Sequence, residues 1–127
     1  MAKKKPQVKL GRMELEIMHI VWEKGEVSVR DIFRIMNKKR EFAYTTILTV
    51  ARSLEKKGFV SHHTEQRKFI YKARVTKDEV ETSLLNNLVE SAFKGSHGDV
   101  VTSLIKNKNI SIEELKDLII SLENEKK

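Results

Sequence analysis

The stretch Ala43–Val60, AYTTILTVARSLEKKGFV, decides how this chain folds. At 100° per residue, Ile47, Val50, Ala51 and Leu54 gather on one side of a helix, and Gly58 supplies its stop. Thr45, Thr49, Arg52 and Lys56 point the other way, and Leu48 falls on the flank. The apolar side needs a core to pack on. The side made of threonines and bases must face water or a polyanion, and the neighbouring segments bear on which.

Upstream, RMELEIMHIVWEKG carries Met13, Ile17, Ile20 and Val21 at helical spacing and ends at Gly25. A short link, EVS, has room for one strand. Ser28 then opens a second helix, with Asp31 three residues on in a near capping box. Val29, Ile32, Phe33 and Met36 form its apolar face, and the basic connection Lys38, Lys39 and Arg40 leads into the opening stretch. Downstream, Phe59–His63 and Lys68–Arg74 are rich in β-branched and aromatic residues and flank the polar turn TEQR, a hairpin pattern. Helix, short strand, helix, helix, hairpin is the order of a winged helix-turn-helix.

A second half begins at Thr76, where TKDE forms a capping box. Val80, Leu84, Leu88 and Ala92 stripe a fourth helix, flanked by Leu85 and Val89 and ending near Gly95. Val100, Val101, Leu104 and Ile105 mark a fifth. Ser111 and Glu114 cap a sixth, striped by Leu115, Leu118, Ile119 and Leu122. Three short helices this apolar bury too little of their own surface to stand alone. A second copy of the same segment is the simplest cover; packing back on the first half is the alternative. The expected fold class is therefore mainly α with a small β-hairpin. The expected layout is a flexible basic arm (1–9), a winged-helix DNA-binding domain (10–75) and a helical dimerisation domain (76–127). Leu84, Leu88, Leu115, Leu118, Ile119 and Leu122 would form the seam.

Charge separates the same two halves. Residues 1–75 hold 18 Lys and Arg against 8 Asp and Glu, and residues 76–127 hold 7 against 10, within a net charge of +7. A basic half joined to a mildly acidic one points to a polyanion for the first and another task for the second. The 127 residues contain no cysteine, so disulfides and thiolate metal sites are excluded. No apolar run is long enough for a membrane helix, and the basic N-terminus lacks a signal peptide's apolar stretch, so a cytoplasmic protein is expected.

A helix-turn-helix protein lays its second helix in the major groove. Threonine brings a hydroxyl for phosphates or base edges and a methyl for the thymine methyl; arginine and lysine neutralise phosphates, and arginine also reads guanine. Tyr44, Thr45, Thr46, Thr49, Arg52 and Lys56 fit that task, with Arg67 and Lys68 at the expected wing tip and Lys3, Lys4, Lys5 and Lys9 in the arm. An ordinary solvated surface is the competing reading for each lysine and threonine, and convergence on one helix, its loop and one hairpin favours double-stranded DNA. His62 and His63 are neighbours on a strand and point to opposite faces, which argues against a shared metal. Neither a glycine-rich phosphate loop nor a nucleophile signature is present. No cofactor and no enzymatic activity are expected.

LGRMELEIMHIVWEKGEVSVRDI, YTTILTVARSLEKKGFV and FIYKARVTKDE resemble the BlaI/MecI/CopY, or penicillinase-repressor, family. Glu16 and Trp22, Ser28, Thr46 and Thr49, Leu54, Lys57 and Gly58, and Tyr71 carry the match, which covers about residues 10–125. The resemblance implies a homodimer, made by C-terminal helices, that binds an inverted-repeat operator and represses adjacent genes. It also brings in an unidentified signal-transducing protein as a further partner. Members cut by a sensor peptidase have an Asn–Phe bond where this chain has LIKNKNIS, and copper-responsive members have a cysteine-rich C-terminus that it lacks. Leu48 stands where many members have Lys or Arg. The alternatives are a winged-helix module that binds protein and an architectural DNA binder without sequence preference.

Overall fold

The structure, a computed structural model, describes residues 8–126. Along them run α1 (Arg12–Lys24), β1 (Glu26–Ser28), α2 (Val29–Asn37), α3 (Tyr44–Lys56), β2 (Val60–Glu65), β3 (Lys68–Ala73), α4 (Lys77–Ala92), α5 (His97–Lys106) and α6 (Ile112–Glu125). The chain divides into two compact units between Leu84 and Leu85, inside α4.

In the first unit, local chemistry sets the boundaries. The Glu14 carboxylate reaches back to the Gly11 N–H at 2.9 Å and starts α1. Gly25, at φ +80°, takes the chain out of α1 into β1, a conformation that a side chain would strain. Ser28 Oγ accepts from the Asp31 N–H at 3.1 Å and caps α2, as the near capping box predicts. Gly58, at φ +90°, ends α3, with the Phe59 N–H returning to the Leu54 carbonyl at 3.0 Å.

The possible strand in EVS is real. It joins the hairpin in an antiparallel sheet of order β1-β3-β2, with Val27 and His62 both opposite Tyr71. Ile17, Met18 and Val21 of α1, Ile32 and Met36 of α2, and Ile47, Ala51 and Leu54 of α3 close over Val60 and Tyr71. Met18, which the expected α1 stripe omits, is fully buried, whereas Met13 and Ile20 are half-buried. Truncating Leu54 to alanine here would cost roughly 2–5 kcal/mol. Trp22 fastens the link between β3 and α4: its indole N–H donates to the Val75 carbonyl at 3.0 Å.

The second unit contains the end of α4 with α5 and α6. Ser96 caps α5 through the Asp99 N–H at 3.1 Å, and Ser111 caps α6 through the Glu114 N–H at 3.0 Å. The helices are well started but poorly covered. Neither α5 nor α6 has a fully buried side chain. The stripe expected on α4 faces inward only in part: Val80 and Val89 are buried, Leu84 is half-buried and Leu88 is exposed. Leu85, Leu104, Leu118, Ile119, Ile120 and Leu122 are all 42% to 58% exposed. Among the described residues, no helix is long and apolar enough to cross a membrane.

Candidate nucleic-acid interface

Burial of Ile47, Ala51 and Leu54 fixes the rotation of α3 about its axis. Thr45, Thr46, Thr49, Arg52 and Lys56 are therefore all exposed, while Leu48 and Val50 are half-buried against the core. By helical angle, Thr45, Thr49, Arg52 and Lys56 share the outward face, and Thr46 lies on the flank with Ser53. Tyr44, the first helical residue, is 40% exposed, with its ring edge-on to Phe33 at 5.7 Å. The Thr49 hydroxyl donates to the Thr45 carbonyl at 2.8 Å. Its proton is engaged within the helix, which leaves the methyl and the oxygen lone pairs for a ligand. Ala43 gives α3 no side-chain cap, and the first turn holds no acidic residue.

The wing is tighter than TEQR suggests. Thr64 and Glu65 belong to β2, Glu65 pairs with Lys68, and the turn is Gln66–Arg67 alone. Both turn residues have positive φ, 49° and 66°, as a two-residue hairpin of the I′ kind requires. Arg67 thus stands at the tip with Lys68 beside it, both exposed. Lys3, Lys4 and Lys5 of the expected arm lie outside the described residues. Lys9 lies within them, and its carbonyl accepts from the Lys57 ammonium at 3.4 Å.

Two links brace α3. Lys57 Nζ meets both Glu14 oxygens at 3.0 and 2.9 Å, and the Ser53 hydroxyl donates to the same carboxylate at 3.4 Å. Burial by itself would raise the Glu14 carboxyl. Hydrogen bonds from the Gly11 N–H and from Lys57, the Lys57 charge and Ser53 together hold it below its ordinary value. On the other side, His62 Nδ1 lies 2.7 Å from each Glu55 oxygen, with its ring against Phe69 and Tyr71. Burial, aided by the Glu55 charge, pushes the Tyr71 phenol up. His63 Nε2 meets Glu65 at 3.4 Å. Among the described residues, no three His, Asp or Glu side chains are placed to hold a metal ion.

Sequence reasoning missed both braces, because each pairs residues from different elements. It also passed over Arg30 and Arg34. They sit one turn apart on α2 and, with Phe33 and Tyr44, line an open hollow beside the start of α3. Their spacing of four is a signal the sequence did offer.

An exposed polar helix fixed by a three-helix core and flanked by a basic hairpin defines a winged helix-turn-helix protein. Residues 10–124 match the family described as penicillinase repressor, and the chain belongs to that family. The penicillinase repressor of Bacillus licheniformis is 27% identical over 124 residues, which cover 98% of this chain and 95% of that one. The solution structure of the DNA-binding domain of the repressor BlaI is similar over 61% of this chain and 93% of its own, with a TM-score of 0.51 and 29% identity. A crystal structure of a mutant MarR from E. coli, complexed with operator DNA, shares the fold, with a TM-score of 0.52 at 13% identity over 91% of this chain and 74% of that one.

Proposed function

We propose that this chain is a DNA-binding transcriptional repressor, and that it acts in the cytoplasm as a homodimer on an inverted-repeat operator. The observation that carries the reading is the outward face of α3: Thr45, Thr49, Arg52 and Lys56 stand exposed while the opposite face is locked in the core. Family membership supports repression, and the basic wing tip supports contact with the sugar-phosphate backbone. In this reading α3 enters the major groove, with Tyr44 and Thr46 at its edges. Arg67 and Lys68 hold phosphates beside it. Residues 76–127 join two copies, with Leu84, Leu88, Leu115, Leu118, Ile119 and Leu122 in the seam. Their exposure in the single chain, half-buried Leu84 and Leu115 excepted, supports a partner surface.

Selection of bound duplexes from a random-sequence pool, repeated at several salt concentrations, tests the proposal. The expected product is an inverted repeat with half-sites about 34 Å apart, one DNA turn, or a multiple of that. Salt-sensitive binding with no enriched sequence would replace the reading with an architectural DNA binder. No salt-sensitive binding at all would favour a module that docks on protein.

A further inference from the structure

We infer that Arg30 and Arg34, together with Tyr44, form a clamp for one phosphodiester of the DNA backbone, outside the groove that α3 enters. The inference rests on the DNA-binding reading and adds a contact to it. Arg30 and Arg34 project from the exposed side of α2, and Phe33 between them is half-buried against the core. Phe33 meets the Tyr44 ring edge-on at 5.7 Å, so the two arginines and the tyrosine surround one hollow rather than three separate patches. The hollow opens to solvent beside the first residue of the helix whose outward face is offered to the major groove.

The donor set is that of a phosphate site. Two guanidinium forks present N–H groups in the planar geometry that matches phosphate oxygens, and the tyrosine adds a phenolic O–H. Arg34 has a protein partner, Asp31, but at 3.7 Å, with the arginine side chain 67% exposed and the aspartate 56%. Such a pair holds weakly in water, so Arg34 turns to a phosphate at little cost. A neutral or cationic partner would gain nothing from two arginines. A small free anion lacks the neighbouring contacts on α3 that a DNA backbone would make at the same time.

The whole 127-residue chain and a random-sequence duplex several helical turns long provide the test, with the affinity followed against salt. Arg30→Gln and Arg34→Gln should each weaken binding by roughly tenfold. Because they share a phosphate, the double variant should flatten the salt slope by about one, not two. Arg30→Lys with Arg34→Lys, which keeps the charge, should recover most of that slope. Removing two charges elsewhere, Lys106→Gln with Lys108→Gln, should leave the slope unchanged, which excludes a general charge effect. Thermal unfolding of each variant confirms that the fold is intact; these side chains are exposed, so the midpoint should stay in place.

A double variant that binds like the lysine control overturns the clamp while DNA binding by the native chain stands. A slope change of two overturns the shared phosphate. A native chain with no salt-dependent affinity for the duplex overturns the DNA reading, and the clamp with it.

Discussion

Thr49 and Arg52 lie one turn apart on α3 and offer different chemistry. With its hydroxyl proton held by the Thr45 carbonyl at 2.8 Å, Thr49 presents chiefly a methyl group. Thr49→Val should therefore keep operator affinity close to native, whereas Thr49→Ser should lose about 1 kcal/mol, the worth of one buried methyl. Titration on the selected operator decides it; a valine variant that falls below the serine one would give the role to the hydroxyl. Arg52 carries a charge on the same outward face. Arg52→Ala should weaken specific binding by ~1–3 kcal/mol if the guanidinium reads a base. If it only neutralises a phosphate, operator and random DNA should weaken alike and the salt slope should drop by about one. Unchanged affinity at every salt concentration would remove Arg52 from the interface. The identity of these residues was legible in the sequence because helical angle alone turns them outward. The Thr49 hydroxyl bond was not, since it depends on a rotamer.

Elements carry the next level of constraint. The wing turn holds Gln66 and Arg67 at positive φ, which costs a non-glycine residue roughly 1–2 kcal/mol. Arg67→Gly should raise the thermal midpoint while lowering DNA affinity equally on specific and random sequences, since phosphate contacts carry no sequence information. A selective loss on the operator would move Arg67 into base or shape readout. The brace from α1 to the end of α3 has a pH signature. The Glu14 carboxyl is held low in the folded chain, so the stability it adds is complete above the ordinary carboxylate range. That stability is lost as pH falls through the lowered value. Lys57 is 42% exposed, which discounts the pair to about 1 kcal/mol. Unfolding midpoints of Glu14→Gln and native protein should differ near neutrality and converge in acid; a constant gap would assign the effect to packing. Helix boundaries were legible because Ser28, Gly58, Thr76 and Ser111 are caps or stops written locally. The Glu14–Lys57 brace joins positions 43 residues apart and has no local signal.

For the whole molecule, the question is what covers the second unit. Its exposed leucines and isoleucines include Leu118, which is 50% exposed in the single chain, so Leu118→Asp costs one copy little. In a two-copy seam the same change buries an unpaired charge and should weaken association on the order of a hundredfold or more. Sedimentation should then show half the native mass, and titration on a full operator should look like binding to a half-site. If native protein already sediments as one chain and binds the full site tightly, the dimer proposal fails. The surplus of apolar side chains was legible from the stripes, and Leu88, Leu118, Ile119 and Leu122 are exposed. Which α4 residues turn inward was not, because apolar residues on more than one face leave the rotation of that helix undetermined by its pattern.

The chain has a single tryptophan, and its indole N–H bonds the last stretch of backbone before α4. Fluorescence emission from Trp22 is therefore an unlabelled optical gauge of that joint. An emission change on adding DNA would mean that events at the groove are felt at the link between β3 and α4. A constant spectrum across a full titration would mean that the joint stays rigid while α3 engages its target.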